Sequence, residues 1–346
     1  MTTQPIPKVF IIILNWNGLR DTLECLESVE RLEYPAKTVV VVDNGSTDGS
    51  PEAVRTQAPS VLLLRNETNL GYAGGNNVGI RYALEHGADY IWLLNNDTVV
   101  RPDSLATLVS VADATPNLGL ASPFIYDYEG PQRLQFGGVI ARLADQTFHR
   151  VNDPLEREGP TTGGRLVLYG TALLIKASAV KTIGYLDERY FAYREDNDYS
   201  MRSLDAGLRN IVVSASKVYH KNSGSLGENS PIKYFFMVRN LYPLWMDRLK
   251  GYRRAAYRVR YLSQALRTAR ECETAGFPAA ADACLAGAWN ALRGRYGEYD
   301  PGATFPRALK RLLYWHPYFW IRVLDWRWGQ VALEAIKRFV SRSPRR

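Results

Sequence analysis

Short, continuously apolar runs alternate with helically periodic stretches through the first 220 residues, and this alternation limits the fold more than any other feature. The runs at residues 11–14 and 39–42 each contain four consecutive aliphatic side chains. A strand that is apolar on both faces needs a covering layer on each side, as in a parallel sheet between helices. The alternation therefore indicates βαβ units and an α/β fold. Strands are predicted at residues 9–14, 38–42, 61–64, 90–94 and 118–123, and helices at residues 21–31, 51–57, 73–85 and 102–114.

The pattern changes further along the chain. Residues 127–165 are rich in Gly, Asp and Arg and poorly periodic, which predicts a weak strand followed by a long mobile loop. Strand character returns at residues 165–176, and helical character dominates from about Pro231 onward.

Composition restricts the class of protein. The 346 residues are 46% hydrophobic and 23% charged, as in a globular chain with room for two domains. The three cysteines, Cys25, Cys272 and Cys284, are far apart, which argues against a disulfide framework or a zinc site and favours the reducing cytoplasm. The first residues lack the features of a signal peptide, and no run approaches the ~18 apolar residues that span a bilayer.

The basic charge is concentrated at the C-terminal end. The net charge is +8, and residues 305–346 contain ten Lys or Arg but two Asp or Glu. Six apolar residues in this tail fall at helical spacing: Ile321, Leu324, Trp328, Val331, Ala335 and Phe339. The tail is therefore predicted to be a basic amphipathic helix that lies on an anionic membrane surface, or packs on the catalytic domain or on a second subunit. We expect no nucleic-acid partner, because no recognised nucleic-acid-binding fold accompanies the tail.

Polar residues follow the apolar strands where the strands end. Asn15 and Asn17 follow the first strand, and Asp43 follows the second. Ligands of parallel sheets bind beyond the carboxyl ends of the strands, and an acidic residue there commonly accepts hydrogen bonds from a ribose or base. The alternative is that Asp43 is a turn or capping residue, because its surroundings have good turn chemistry.

A glycine-rich segment at residues 69–80 allows close backbone approach at the start of a helix. Gly71 contributes to that turn, and Asn76 and Asn77 add neutral hydrogen-bond donors. The segment lacks the fingerprint of a dinucleotide site and does not follow the first strand, so NAD binding is poorly supported. A structural turn with close helix packing is the alternative.

Three further clusters could carry chemistry. Asn95, Asn96 and Asp97 end the fourth predicted strand; Glu195 and Asp196 begin an amphipathic helix; His220 follows a short strand. Each has a structural alternative, because carboxylates also stabilise turns and helix starts, and a lone histidine is more often structural.

Six stretches carry a resemblance to a known family. The chain resembles the inverting GT-A glycosyltransferases of family 2, in their bacterial rhamnosyltransferase-like branch, over roughly residues 8–225. The resemblance implies a GT-A catalytic domain at 1–228, with a nucleotide-sugar half at about 1–100 and an acceptor and catalytic half at about 101–228. A helical region at 229–346 would follow. The stretches are ILNWNG, VVDNGSTDGS, NLGYAGGNNVGI, LLNNDT, YGTALLIKASAVKTIGYLDERYFAYREDNDYSMRSLDAG and VYHKNSGS.

The resemblance also implies roles for individual residues. The donor nucleotide and its diphosphate would be bound by Asn15, Asn17, Asp43, Gly71, Asn76, Asn77, Asn95 and Asn96. Asp97 and His220 would hold Mg²⁺ or Mn²⁺, and Asp196, paired with Glu195, would be the catalytic base. Gly170, Thr171 and Ala172 would lie near the acceptor. One departure is that Asn95 stands where the family has the first carboxylate of its D-x-D motif, which removes a charge from the metal site.

The implied substrates are a nucleotide-diphosphate sugar donor and a glycan or polyprenyl-linked acceptor. dTDP-rhamnose is the first donor expected, with UDP-galactofuranose and UDP-hexoses left open, and a homo-oligomer is also left open. The alternatives are a sugar-1-phosphate nucleotidyltransferase, a relative that binds nucleotide or carbohydrate without catalysis, and a membrane-recruited scaffold. The segment NWNGLRDT counts against the first of these, because a nucleotidyltransferase carries a Gly-rich, basic loop at that place.

Overall fold

The computed structural model describes residues 5–150, 164–221, 230–306 and 308–311. The chain divides into two compact units, residues 1–225 and 226–346. The first unit combines strands and helices, so the α/β class expected from the sequence is confirmed.

The first unit begins as the sequence predicts. Its strands are β1 Val9–Asn15, β2 Lys37–Asp43, β3 Leu62–Arg65, β4 Tyr90–Asn95, β5 Thr98–Val100 and β6 Leu118–Asp127. Its helices are α1 Leu19–Glu30, α2 Ser50–Gln57, α3 Gly71–Glu85 and α4 Ser104–Asp113. The five predicted strands and four predicted helices are confirmed, with ends that differ by at most four residues.

The second half of this unit was predicted less well. Where a weak strand and a long loop were expected, the structure contains β7 Leu134–Phe136, β8 Val139–Arg142 and β9 Thr147–Arg150, and residues 151–163 of the predicted loop lie outside the described residues. The next strand, β10 Arg165–Val167, lies where strand character was predicted. These strands are three or four residues long, too short for a clear alternation of apolar and polar side chains. β8 pairs with β9 and β10 in a small antiparallel sheet.

The remaining elements of this unit complete the main sheet and its cover. They are β11 Ala172–Lys176, α5 Ala177–Ile183, a 3₁₀ turn at Glu188–Tyr190, α6 Glu195–Asp205 and β12 Arg209–His220. The main sheet has the order β3-β2-β1-β4-β11-β6-β12-β5, with β7 beside β6. The first four strands in this order are parallel, and β11 is antiparallel to both of its neighbours.

The sheet is buried on both faces. Ile11 and Ile13 pack on one side with residues of α1 and α4, while Ile12 packs on the other with residues of α3. Burial of such aliphatic surface contributes about 25 cal/mol per Å², which makes this double core the main source of stability. Helix α3 approaches β1 so closely that a Cβ at Gly79 would lie 2.4 Å from Ile12 Cγ2.

Strand register brings the polar strand ends together. Asn15 of β1 is opposite Asp43 of β2, and Leu14 is opposite Asn95 of β4. The carboxyl ends of these parallel strands therefore form one polar edge.

The second unit contains α7 Pro231–Met246, α8 Tyr252–Thr274 and α9 Pro278–Leu292, which confirms the change to helix near Pro231. No helix of the described residues is long and apolar enough to cross a bilayer. The predicted amphipathic helix of the tail lies at 312–346, outside the described residues.

Arg239 of α7 is a core residue of this unit. Its side chain is 1% exposed, and its guanidinium lies 4.7 Å from the ring centroid of Phe236. It donates a hydrogen bond to the carbonyl oxygen of Gly297, and burial lowers its pKa to about 10. These contacts favour a structural role for Arg239 over phosphate binding.

Candidate active site

Asn15 and Asp43 hold the first two strand ends together. Both side chains are fully buried. The Asn15 amide donates to Asp43 Oδ1 at 3.0 Å and to Ser50 Oγ at 2.7 Å, while Asp43 Oδ2 accepts from the Ser46 backbone N–H at 3.1 Å. Their observed contacts shape the loop after β2, and nucleotide contact by Asp43 stays a prediction.

Asn17 lies at the surface of the same edge. It is exposed, with a left-handed backbone at φ +50°, and its Oδ1 accepts from the Thr47 N–H at 2.8 Å. The neighbouring Trp16 is 37% exposed, unusually for so large an apolar ring. Sequence reasoning gave Trp16 no role, although its place beside the predicted donor residues could have suggested one.

The start of α3 is packed against the segment that precedes α6. Gly71 has φ +73°, and a Cβ there would lie 2.5 Å from the carbonyl oxygen of Phe191. Glycine is therefore required both for backbone conformation and for space. This contact connects the glycine-rich segment to the predicted catalytic helix.

The two asparagines of α3 make contacts within the protein. Asn77 Oδ1 accepts from the Leu186 N–H at 3.0 Å, and its Nδ2 donates to the Leu186 carbonyl at 2.9 Å. Asn76 donates to the carbonyl of Tyr72, and both asparagines are 1% exposed. The structure does not support a diphosphate contact by Asn77, because its polar atoms are already used. An amide that closes a loop and one that binds a ligand look alike in sequence.

The two predicted metal ligands meet. Asp97 Oδ1 lies 3.2 Å from His220 Nε2, and the residues are 8% and 7% exposed. β5 pairs with β12 so that Thr98 is opposite His220, which brings Asp97 to the histidine. Asp97 and His220 are 123 positions apart in sequence, so this contact depends on the sheet.

Gln135 of β7 orients the His220 ring. His220 Nδ1 lies 2.6 Å from Gln135 Oε1, so Nδ1 carries the proton and donates it. In the neutral ring, Nε2 then presents a lone pair towards Asp97. Two acceptors facing each other need a proton or a cation between them, and a second hydrogen bond of this kind is typical of metal-binding histidines.

The donor set fits a divalent metal with ligands still to be supplied. A carboxylate and an imidazole suit Mn²⁺, and Mg²⁺ commonly takes one or two carboxylates plus substrate phosphates. Within the described ranges, no group of three or more His, Cys, Asp or Glu side chains is arranged to hold a metal. A cation held here would therefore depend on oxygen atoms from a bound diphosphate.

Asn95 and Asn96, which precede Asp97 at the end of β4, make different contacts from Asp97. Asn95 is half-buried, and its backbone carbonyl accepts from Thr98 Oγ1 at 2.7 Å. Asn96 donates to Thr22 Oγ1 at 3.0 Å and packs beside Gly18, so it braces the turn between β1 and α1. That turn is where a nucleotidyltransferase would need its basic loop.

Asp196 is connected to the same edge through residues 170–172. Asp196 Oδ2 accepts from the Gly170 N–H at 2.9 Å, and the Thr171 carbonyl accepts from the Asn95 N–H at 2.9 Å. Ala172 then enters β11 opposite Leu94. The expected base, acceptor loop and metal-binding strand are therefore joined by consecutive hydrogen bonds.

Tyr72 lies among these groups and had no predicted role. Its hydroxyl donates to the Gly170 carbonyl at 2.7 Å. Its pKa is raised well above the usual range by burial, with further contributions from the negative charges of Glu195, Asp196 and Asp97. The Tyr72 phenol therefore lies within electrostatic range of both the expected base, Asp196, and the expected metal ligand, Asp97. A tyrosine within the glycine-rich segment was the available sequence signal.

Strained backbone precedes α6, the helix that carries the predicted base. Phe191, Tyr193 and Arg194 have φ of +60°, +66° and +77°, a conformation that non-glycine residues rarely adopt. Such strain persists where surrounding contacts fix it, and it is concentrated at functional sites. It sets the direction in which Glu195 and Asp196 leave the loop.

The two carboxyls at the start of α6 are not equivalent. Burial raises the pKa of Glu195 well above its ordinary value, the negative charge of Asp196 raises it further, and Glu195 Oε2 has no hydrogen-bond partner among the described residues. Burial also raises the pKa of Asp196, but N–H groups of Gly170 and Asn197 oppose the shift. When like charges compete, the carboxyl whose charged form accepts hydrogen bonds ionises first, so we expect Asp196 to lose its proton at lower pH than Glu195 does.

Sequence comparison identifies the family. The family model described as Glycosyl transferase family 2 matches residues 10–174. Over 244 residues the chain is 31% identical to the N-acetylglucosaminyl-diphospho-decaprenol L-rhamnosyltransferase of Mycobacterium tuberculosis, covering 64% of this chain and 78% of that protein. The chain belongs to glycosyl transferase family 2. The resemblance inferred from its six motifs is confirmed, and the nucleotidyltransferase alternative is set aside.

Other relatives of this family 2 enzyme have related activities. It is 24% identical to the dTDP-rhamnosyl transferase RfbF of Shigella flexneri, covering 68% of this chain and 79% of that protein. It is 32% identical to the galactofuranosyltransferase GlfT1 of Mycolicibacterium smegmatis, covering 53% of this chain and 61% of that protein.

Solved structures of low sequence identity agree with the fold of this family 2 enzyme. The structure of GalNAc-T7 with UDP, GalNAc and Mn²⁺ matches with a TM-score of 0.54 and 17% identity, over 70% of this chain and 48% of that chain. Staphylococcus aureus TarS matches with a TM-score of 0.50 and 17% identity, over 75% and 43% of the two chains. The chain thus spans about half the length of these solved proteins. The GT-A fold expected from the sequence is confirmed.

Proposed function

We propose that this glycosyltransferase moves rhamnose from dTDP-rhamnose to a lipid-linked glycan acceptor with inversion at the anomeric carbon. The donor is supported by two relatives with rhamnosyltransferase names, at 31% and 24% identity. The acceptor is supported by the first of these, which carries a diphospho-decaprenol group in its name. GlfT1 leaves galactofuranose as the second donor to be tested.

The observation that carries the mechanism is the link between Asp196 and Asp97 through residues 170 and 171. A single displacement needs a base on the acceptor side and stabilisation of an anionic leaving group on the other side. Asp196 has the charge for the first task, and the Asp97–His220 pair suits the second. The short hydrogen-bonded connection supports one shared site.

The reaction proceeds in one step. The acceptor hydroxyl oxygen attacks the anomeric carbon while its proton passes to the Asp196 carboxylate. The bond between the anomeric carbon and the diphosphate oxygen breaks, and the nucleoside diphosphate leaves with the electron pair. General-base assistance of this kind contributes typically 10²–10⁴-fold to the rate.

A divalent cation held by Asp97 and His220 would neutralise charge on the leaving diphosphate. Around that chemistry the protein positions groups: Gln135 fixes the His220 tautomer, and Tyr72 fixes the Gly170 carbonyl. The structural neighbour GalNAc-T7 was crystallised with Mn²⁺.

A donor screen tests the proposed function. Wild-type enzyme, Mn²⁺ and a short-prenyl diphosphate sugar acceptor are incubated with dTDP-rhamnose, UDP-galactofuranose or a UDP-hexose, and nucleotide release and product mass are measured. We expect acceptor-dependent release from dTDP-rhamnose, abolished by EDTA. Nucleotide release from a UDP-sugar but not from dTDP-rhamnose would reject dTDP-rhamnose as the donor. No sugar transfer from any of the donors would reject the proposed glycosyltransferase activity.

If the acceptor is lipid-linked, the enzyme is expected to act at a membrane surface. The basic tail, residues 305–346, supports attachment to anionic lipid because of its charge and tryptophans. Liposome flotation with and without this segment tests the proposal, and equal partitioning of both proteins would reject a membrane role for the tail.

A further inference from the structure

A cleft lies beside the candidate active site, between β7, β9 and the segment before Gly170. It contains about 190 Å³ of empty space, partly open to solvent, and is lined by Gln135, Phe136, Arg150 and Tyr169 together with two glycines. The enclosed part of this space holds about one water molecule, so the cleft is a shallow position at the surface rather than a pocket that encloses a whole ligand. None of these residues had a role predicted from the sequence.

The cleft is next to both halves of the site. Gln135, which holds His220 Nδ1 at 2.6 Å, forms part of its wall. Tyr169 forms another part and directly precedes Gly170, whose N–H binds Asp196. The charge of Asp196 also contributes to the raised pKa of Tyr169, after burial and the opposing effect of Arg150.

The wall combines stacked aromatic rings with a cation. Phe136 and Tyr169 stack with ring centroids 4.1 Å apart and an interplanar angle of 29°. The Arg150 guanidinium lies 5.8 Å from the Phe136 centroid, and its positive charge opposes the effect of burial on the pKa of Tyr169. This exposed guanidinium therefore lies at the rim of the cleft, beside the stacked rings.

Arg150 has no carboxylate partner in the part of the chain that the structure describes. Arg202 of α6, by contrast, is paired with the Asp198 carboxylate at 2.7 Å. A guanidinium oriented by aromatic contacts keeps several N–H donors in a planar fork, which matches phosphate oxygens. Among the described residues, the rim of the cleft therefore carries a positive charge with no carboxylate paired to it.

We propose that Arg150 and the Phe136–Tyr169 stack form the acceptor subsite, with Arg150 binding the acceptor's diphosphate. The inference rests on the proposed function and adds the group that the enzyme recognises. Tyr169 in the cleft wall directly precedes Gly170, whose N–H binds Asp196. A base must touch the acceptor hydroxyl, so we assign a ligand held at this wall to the acceptor. Strand β9 also contacts the segment that leads to Asp196, because the Arg194 guanidinium lies 5.2 Å from the ring centroid of Phe148.

The test compares two acceptors that differ in charge. One is a short-prenyl diphosphate sugar, and the other carries the same sugar and chain through a neutral glycosidic link. Arg150→Gln is expected to lower kcat/KM for the diphosphate acceptor by about 10- to 100-fold, mostly through KM, as for loss of a charged hydrogen bond. The neutral acceptor and the donor KM should change less than about twofold by the same reasoning.

Two further variants distinguish the effect of the Arg150 guanidinium from that of positive charge in general. Arg150→Lys keeps the charge without the fork and should recover part of the loss. Arg142→Gln removes a positive charge from the neighbouring strand β8 and should have no acceptor-specific effect. Equal loss on both acceptors, or no loss on either, would overturn the proposal, and a rise in donor KM alone would assign Arg150 to the donor.

A binding measurement keeps this inference separate from the proposed function. Calorimetry with saturating dTDP measures binding of the diphosphate acceptor to wild type and Arg150→Gln without turnover. We expect the dissociation constant to rise about tenfold or more in the variant. Unchanged binding with normal transfer would reject the acceptor subsite alone. Failure of wild type to transfer any sugar would reject the proposed function and the inference with it.

Discussion

Asp196 Oδ2 accepts a hydrogen bond of 2.9 Å from the backbone N–H of Gly170, which couples the proposed base to the loop that leads into β11. The same glycine offers its carbonyl to Tyr72 at 2.7 Å. A Cβ on residue 170 would lie 2.9 Å from the Tyr72 hydroxyl and 3.4 Å from Asp196 Cβ. Glycine at this position therefore lets a base and a phenol approach one peptide unit from two sides.

Asp196→Asn is expected to lower kcat by about 10²–10⁴-fold, because the amide keeps the shape of the side chain but cannot accept the acceptor proton. Donor binding should be retained, as measured by titration with dTDP. Normal turnover of this variant would exclude Asp196 as the base.

The dependence of activity on pH should report the same group. Burial raises the pKa of Asp196 above its ordinary value of 3.8, and the base must be unprotonated to act. Activity is therefore lost as pH falls through the raised pKa, so the acidic limb of kcat/KM should lie above pH 3.8. The residual activity of Asp196→Asn should lack this limb, and an identical limb in both proteins would assign it to another group.

Glu195→Gln tests the protonation of the second carboxyl through the pH dependence of stability. Burial raises the pKa of Glu195 well above 4.5, so the folded protein binds this proton more tightly than the unfolded chain does. The wild type therefore loses stability as pH rises from 4.5 towards the raised pKa, and the neutral glutamine does not. The difference in free energy of unfolding, variant minus wild type, should grow over that range and then level off. Parallel urea-denaturation curves at all pH values would contradict this assignment of the proton.

The sequence was sufficient for the parts of the fold that depend on long apolar runs. Strands β1, β2 and β4 were predicted because each is buried on both faces, and their shared polar edge followed from the parallel arrangement. For residues 134–150 a single weak strand and a loop were predicted, whereas the structure has three strands, each too short to show a period. The cleft between β7 and β9 was missed for the same reason.

The candidate site was predictable only in part. Asp97 and His220 were assigned to one metal through the family resemblance, and they lie 3.2 Å apart. Asn77 was assigned to the nucleotide and its diphosphate through the family resemblance, whereas in the structure it binds the Leu186 peptide. Tyr72 was missed because its significance depends on Gly170, which is 98 residues away.

Asn77→Ala tests that revised role. The substitution leaves the N–H and carbonyl of Leu186 without partners in a buried region, which costs about 1–3 kcal/mol of unfolding free energy. The KM for the nucleotide sugar should be nearly unchanged in the folded enzyme. A large rise in donor KM with normal stability would restore the predicted contact with the diphosphate.

Asp97→Ala is expected to abolish metal-dependent transfer while the fold stays intact. His220 would remain with its Nδ1 bound to Gln135, but the cation would lose its carboxylate ligand. Loss of charge stabilisation at the leaving diphosphate amounts to several kcal/mol, which is at least about a hundredfold in rate. The measurements are sugar transfer over a range of Mn²⁺ concentrations and the thermal unfolding midpoint.

The control for Asp97→Ala is Asn96→Ala, which alters the neighbouring residue and removes a contact with Thr22 that is not part of the metal pair. That variant should lose about 1 kcal/mol of stability and keep its dependence on Mn²⁺. If Asp97→Ala retained near-normal turnover, or if its activity still rose with Mn²⁺ as in wild type, Asp97 would not hold the cation. The strand end at residues 95–97 would then serve the fold rather than the chemistry.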